Sequence, residues 1–335
     1  MHEALFYKKL ENQKVRCELC HNHCLILPGK IGACRVRQNI DGKLFSLVYG
    51  KPIAINIDPM EKKPLFHFFP GTKIFSLATV GCNFHCLFCQ NWQISQPLDI
   101  PKEAIIEKTS PANIIKLVKE SKCQSIAYTY VEPTIFYEYM YDIAKLAKKE
   151  GIKNVYVTNG YIETKPLKKL ATIMDAANVD LKSFSDDFYQ KICGARLEPV
   201  LKNLKLMKKL GIFVEITTLV IPGKNDDTEN LKAIAKFIKK ELGAKTPWHV
   251  SAFYPTYKML DVPSTQAEKL LKAREIGLKA GLKFVYIGNI PGGDGENTFC
   301  PKCKTINIER FGFNIKRQDN HGKCRQCKAK LNIVE

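Results

Sequence analysis

Phe75-Ser-Leu-Ala-Thr-Val-Gly-Cys-Asn-Phe-His-Cys-Leu-Phe-Cys-Gln90 begins as a strand and ends as a ligand loop. Residues 74–80 are dominated by strand-forming side chains, and Gly81 frees the backbone to turn. Cys82, Cys86 and Cys89 follow with C-x3-C-x2-C spacing, and Phe88 directly precedes the last of them. A loop on a rigid scaffold is where such a ligand set belongs. Three thiolates do not saturate a four-iron cluster, which takes four ligands. On a four-iron cluster such a set would leave one iron open to an outside ligand; zinc or plain thiols is the other reading of these three cysteines. His85, inside the motif, is expected beside the ligands and not among them.

The flanking sequence alternates in period. Strand-like segments at 74–80, 125–130, 154–158, 177–181, 213–220, 248–253 and 283–287 are separated by amphipathic ones. The latter lie at 112–121, 134–149, 165–174, 201–210, 228–242 and 264–280. Such βα repeats predict an α/β fold: a parallel sheet with an outer layer of helices. The sheet is expected to curl into an open or closed barrel, with the active site where strand C-termini meet the following loops. Three zones result: a cysteine-rich region at 1–70, the βα region at 71–290 and a tail at 291–335. In the first zone Asn39-Ile-Asp-Gly42 is a turn signal beside the strand-forming stretch 44–57, which predicts a hairpin.

Composition narrows the setting. The 335 residues are 45% hydrophobic and 25% charged, enough to bury a sizeable core and unlike a disordered chain. No apolar run reaches the length of a membrane span, so no membrane association is expected. The N-terminus shows no apolar core with a small-residue cleavage site, so the expected compartment is cytoplasmic. Thiols stay reduced there, and paired cysteines then read as metal ligands and not as disulfides. The formal charge is +19, which favours nucleic acid or acidic partners. Its lysines are nevertheless scattered, as in Lys168-Lys169 and Lys239-Lys240, in the manner of a solvated surface.

Eight further cysteines sit in two sets outside the central motif. Cys300-Pro-Lys-Cys303 and Cys324-Arg-Gln-Cys327 are 20 residues apart, with strand-like 305–308 and 312–316 between them. Four thiolates in two such turns suit tetrahedral zinc with no open position, a zinc-ribbon-like structural site; a rubredoxin-type iron centre is the rival. Residues 300–335 hold nine Lys and Arg against three acidic residues, so nucleic acid stays open as a partner. Cys17, Cys20 and Cys24, with Cys34 ten residues on, suit either zinc or an auxiliary iron–sulfur cluster, and His21 and His23 keep mixed zinc ligation open. Cys123 and Cys193 are expected to pack. Gly292-Gly-Asp-Gly295 lacks the Lys-Ser/Thr of a phosphate loop.

The stretch from Phe75 to Ser95, preceded by Asp58-Pro-Met-Glu-Lys-Lys-Pro-Leu-Phe-His-Phe-Phe-Pro-Gly71, resembles the radical S-adenosylmethionine (SAM) proteins related to pyruvate formate-lyase activating enzymes. Within that group it is most similar to the radical SAM proteins of the AmmeMemoRadiSam system. The resemblance runs over nearly the whole chain, both outer cysteine sets included. It implies a partial (β/α)6 barrel in which Cys82, Cys86 and Cys89 are the catalytic cluster ligands. SAM would chelate the open iron, and one electron would cleave it to a 5'-deoxyadenosyl radical that abstracts hydrogen from a substrate. A low-potential electron donor is implied as well, with Memo-like and AMME-type proteins as partners.

By the same resemblance Phe88, Glu132, Asn159, Asp180, Lys182 and His249 are expected to contact SAM. Glu132 would approach its amino group, Asp180 the amino group and Lys182 the carboxylate, and His249 would lie near the adenosine. The chain departs from the activating-enzyme pattern at four places. Tyr130 and Val131 replace two glycines before Glu132, Val157 replaces an acid, and Thr217 replaces an arginine. These departures weigh against activation of a glycyl radical enzyme, which stands as an alternative to an unidentified substrate together with modification of RNA or tRNA, the latter motivated by the charge and the C-terminal cysteine set.

Overall fold

The computed structural model describes residues 1–96, 108–290 and 292–335. Residue 291, where the tail was expected to begin, lies outside them. The main sheet has eight strands. Seven run parallel in chain order: Lys73–Ala78, Ser125–Tyr128, Lys153–Thr158, Ala176–Asp180, Phe213–Val220, Trp248–Ala252 and Val285–Gly288. Six strand–helix units are thus followed by one more parallel strand. The sheet order ends at Ala54–Pro59 on one side and Val285–Gly288 on the other, so among the described residues the barrel is open.

One strand falls outside the expected alternation. Ala54–Pro59 pairs antiparallel with Lys73–Ala78 and extends the sheet at its edge. It belongs to the stretch expected as half of a hairpin. That hairpin forms instead from Arg37–Ile40 and Lys43–Ser46 around Asp41 and Gly42. Both turn residues have positive φ, 49° and 76°, which an Asp-Gly pair supplies at little cost.

Local sequence explains the outer layer. Helix Pro111–Glu120 starts with Ser110 accepting from the Asn113 amide at 3.2 Å and with proline at its first turn. Helix Thr228–Phe237 is capped in the same way by Asp227, which accepts from the Asn230 amide at 2.8 Å. Helix Ala267–Lys279 lies so close to the sheet that a Cβ on Gly277 would stand 2.9 Å from the Trp248 ring. Only glycine permits that approach.

Strand alternation divides the sheet into two faces. Val179, Ile216, Trp248 and Val250 are buried among the helices. The opposite face is polar: Thr217 Oγ1 donates to Asn178 Oδ1 at 2.9 Å, and His249 meets Glu215 at 2.7 Å. A polar concave face is suited to hold a polar ligand. At one end it is plugged by the segment after Met60: the Phe66 and His67 amides donate to Glu215 at 3.1 and 2.8 Å, and Asn178 donates to the Pro64 carbonyl at 2.8 Å.

The C-terminal strands Thr298–Phe299, Ile306–Phe311 and Asn314–Arg317 form a small antiparallel sheet, close to the two short strands expected there. Arg310 anchors it beneath the plug. Its guanidinium donates to the Phe66 carbonyl at 2.9 Å and to Thr298 Oγ1 at 2.7 Å, and it pairs with Glu61 at 3.4 Å. No helix among the described residues is long and apolar enough to cross a membrane.

Candidate active site

The cysteine loop leaves the strand Lys73–Ala78 at its C-terminal end. Gly81 has φ +96°, and a Cβ there would lie 2.7 Å from the Cys34 carbonyl oxygen. The loop is therefore held against the N-terminal region by backbone contact. Cys86 is buried, and Cys82 and Cys89 are partly so. The Phe84 amide points at Cys82 Sγ at 3.4 Å, and Cys89 Sγ lies 3.0 Å from Ser95 Oγ. Burial raises the pKa of both thiols, and these donors oppose that rise.

Asn83 ties this loop to the next strand end. Its Oδ1 accepts from Asn159 Nδ2 at 2.8 Å, and its carbonyl accepts from Asn22 Nδ2 at 2.8 Å. Its own Nδ2 is buried with no partner in the described structure. An orphaned buried donor inside a three-thiolate loop suits a cluster there, because sulfides and thiolates accept hydrogen bonds. The donor set and this orphan both fit a 4Fe-4S cluster bound through Cys82, Cys86 and Cys89.

The other expected residues divide. Lys182 Nζ pairs with Asp180 Oδ2 at 2.9 Å and stands 5.4 Å from the Phe88 ring centroid, so these three gather beside the loop. Burial disfavours the Lys182 ammonium, yet the charges of Asp180, Cys86 and Cys193 prevail and hold its pKa well above the ordinary lysine value. Lys182 therefore stays cationic, as a partner for a carboxylate must. Cys193, expected to pack, is buried against Cys86: its thiol hydrogen-bonds to Cys86, which with Lys182 holds the Cys86 thiol below its usual pKa.

Glu132 turns inward. Its Oε1 accepts from the Thr134 amide at 3.1 Å, Tyr156 OH at 3.2 Å and Thr158 Oγ1 at 2.8 Å, and from Thr134 Oγ1 as well. Its Oε2 accepts from the Asn159 amide at 2.7 Å. In this geometry the carboxylate braces the Thr158-Asn159-Gly160 turn. Burial raises its pKa despite these donors. His249 likewise faces Glu215 and stacks on Tyr286 at 5.3 Å, enclosed by the plug. His85 Nδ1 meets Gln96 Oε1 at 2.8 Å.

Three features had weak signals in the sequence. Tyr130 stands where the activating enzymes have glycine, and it adopts φ +65°, the left-handed conformation that glycine would take freely. Its hydroxyl bonds Asp58, which also receives Lys63 Nζ at 2.7 Å. Lys63 is buried, and burial outweighs that partner and lowers its pKa to about 8. Glu163 meets His21 at 2.9 Å and His23 at 2.7 Å, a partner no spacing announced.

The C-terminal cysteines gather tightly. Cys300 Sγ lies 3.5 Å from Cys327 Sγ, and Cys303 Sγ lies 3.5 Å from Cys324 Sγ. All four sulfurs lie within 4.8 Å of one another. Bonds of about 2.3 Å to a tetrahedral zinc put sulfurs roughly 3.8 Å apart, so the set fits zinc.

Comparison with known proteins agrees with this geometry. The model of the radical SAM superfamily matches residues 76–238. An uncharacterised protein of Methanocaldococcus jannaschii is 50% identical, with both chains covered in full. The pyruvate formate-lyase-activating enzyme of Clostridium pasteurianum is 24% identical over 57% of this chain and 84% of its own. A radical SAM methyltransferase from Sphaerobacter thermophilus shares the fold, with a TM-score of 0.53, 15% identity and 68% of each chain covered. The chain belongs to one family with the Methanocaldococcus protein, and it is an enzyme carrying a radical SAM domain homologous to the pyruvate formate-lyase activating enzymes.

Proposed function

We propose that the chain cleaves SAM reductively at a 4Fe-4S cluster held by Cys82, Cys86 and Cys89. When bound, the cluster and SAM supply one electron and a 5'-deoxyadenosyl radical able to take hydrogen from a carbon. The observation that carries the reading is the meeting of the cysteine loop with Asn159 and the Asp180–Lys182 pair at adjacent strand ends. Lys182 offers a cation to the SAM carboxylate, Asp180 an acceptor to its amino group, and Phe88 an apolar wall. Asn83 and Asn159 fix the loop relative to the strand ends, and Glu132 fixes the turn that carries Asn159.

The substrate in this proposal is a group on a partner protein. The Clostridium relative is named for activating another enzyme, and the family resemblance names Memo-like and AMME-type proteins as candidates here. An exposed aromatic rim supports a protein partner: Trp92, just after the cysteine loop, stacks on Tyr257 at 5.3 Å, with Tyr254 and Leu260 exposed nearby in sequence. Zinc at Cys300, Cys303, Cys324 and Cys327 would hold the tail that carries Arg310.

The test is 5'-deoxyadenosine release from SAM by anaerobically reconstituted, dithionite-reduced protein. Release is expected from the parent and not from a Cys82→Ala/Cys86→Ala/Cys89→Ala variant. Equal release from both would overturn the assignment. Acceleration by a candidate partner protein would identify it as substrate.

A further inference from the structure

We infer that the four N-terminal cysteines hold an iron–sulfur cluster and not zinc, with Arg37 as a hydrogen-bond donor to it. Cys17 ends the strand Val15–Cys17, Cys20 and Cys24 flank the next turn, and Cys34 lies just before the strand Arg37–Ile40. All four line one cavity together with Arg37 and Ile135. Four thiols converging on one cavity in a chain without disulfides among its described residues is a ligand set.

Spacing separates the two metals. Zinc draws four thiolates to roughly 3.8 Å from one another. The C-terminal set shows that arrangement in the same molecule, at 3.5 Å. Among the described residues, no three of the N-terminal sulfurs lie within 4.8 Å of one another. A cubane carries its cysteines on separate irons at its corners, and so needs a wider set. The two four-cysteine sites of this chain are therefore built for different centres.

Arg37 supplies the second observation. It is 1% exposed, and its Nη2 donates to the Leu5 carbonyl and to Glu138 Oε1, both at 2.8 Å. Among the described residues its Nε and Nη1 have no partner. Leaving such donors unpaired in the interior is costly. An anionic centre rich in sulfur acceptors, seated in the cavity that Arg37 lines, removes that cost. The cavity also shares a wall with the proposed SAM site. Gly81 meets the Cys34 carbonyl, Asn22 lines the cavity and bonds Asn83, and Thr134 lines it and bonds Glu132.

The experiment counts metal in the full chain after anaerobic reconstitution with ferrous iron and sulfide. The Cys82→Ala/Cys86→Ala/Cys89→Ala variant is expected to keep about four iron and about four labile sulfide per chain. It should show a cluster EPR signal on reduction and hold one zinc. Cys17→Ser/Cys20→Ser in the parent background should lower iron from about eight to about four, while SAM still perturbs the remaining EPR signal. A triple variant with no labile sulfide and a second zinc would overturn the inference, as would full iron retention in the N-terminal double variant. Should that double variant not fold, the triple variant alone decides. The triple variant's iron count does not depend on SAM chemistry, so failure of the proposed activity leaves it readable.

Discussion

Asn159 Nδ2 donates to Asn83 Oδ1 at 2.8 Å, which joins the cysteine loop to a turn 76 residues away in sequence. Asn159 is itself held from two sides: its amide donates to Glu132 Oε2 at 2.7 Å, and its Oδ1 accepts from the Tyr161 amide at 3.0 Å. The loop position is thus set by a chain of buried hydrogen bonds reaching back to Tyr156 and Thr158.

Asn159→Ala removes the donor and leaves Asn83 Oδ1 in the interior with only the long contact to Cys82 Sγ at 4.0 Å. The expected cost is about 1–3 kcal/mol of unfolding free energy, read by denaturant titration. Because the loop shifts relative to Asp180 and Lys182, SAM cleavage should fall on the order of 10- to 100-fold. Unchanged cleavage with reduced stability would make the contact purely structural.

His67 gives the protein an acid-side sensitivity. It is fully buried with Nε2 bonded to Tyr286 OH at 2.6 Å, and burial lowers its pKa to about 4. Glu215 opposes that shift, while Arg310 and His249 add to it. The unfolded chain binds this proton near the ordinary pKa of about 6.5, so between pH 6.5 and pH 4 it holds more protons than the folded protein. Stability contributed by the neutral imidazole is complete above that window and falls as pH drops through it, by on the order of 3 kcal/mol. His67→Phe should flatten this part of the stability–pH curve. Tyr286 OH keeps Thr298 Oγ1 at 3.0 Å as a partner in that variant, so the fold is expected to persist.

The legible parts of the molecule are those with local signals. Ser110-Pro111 and Asp227 mark helix starts on their own, and the strand Phe213–Val220 carries its own period. Asp180 and Lys182 sit two residues apart, so their pairing follows from adjacency. What the sequence hid depends on distant pairing. Most of the antiparallel edge Ala54–Pro59 falls in the stretch 44–57, whose propensity suits a hairpin, and its true partner strand lies across a loop. Arg37 finds Glu138 over 101 residues, and Arg310 finds Glu61 over 249. The inward turn of Glu132 arises from donors on the strand Lys153–Thr158, on the turn that follows it and on Thr134, which no motif encodes.

Arg310 fastens the C-terminal sheet to the barrel plug. Its side chain is buried against the Phe66 ring, at 4.2 Å to the centroid, and it pairs with Glu61. Arg310→Ala leaves the Glu61 carboxylate buried without a counter-charge, for which about 3–5 kcal/mol is expected in chemical denaturation. Arg310→Met/Glu61→Met should recover part of that loss, since it removes both charges. Zinc content should stay the same in both variants, because neither touches the four cysteines; loss of zinc would show that the tail folds only when docked.

Gly81→Ala and Gly151→Ala separate backbone conformation from close approach. Both glycines have positive φ, +96° and +73°. A Cβ at Gly151 meets nothing within 4 Å among the described residues, whereas at Gly81 it would stand 2.7 Å from the Cys34 carbonyl and 2.8 Å from Val36 Cγ1. Gly151→Ala should therefore cost only its backbone strain, about 1 kcal/mol, with iron content unchanged. Gly81→Ala carries the same strain and also drives the cysteine loop away from the N-terminal cysteines. Iron bound after reconstitution should drop by about half or more, since the loop and the cavity wall move together. If Gly81→Ala retained its iron and matched Gly151→Ala in stability, the contact between the two cysteine regions would be incidental, and their shared wall would have no part in holding either metal centre.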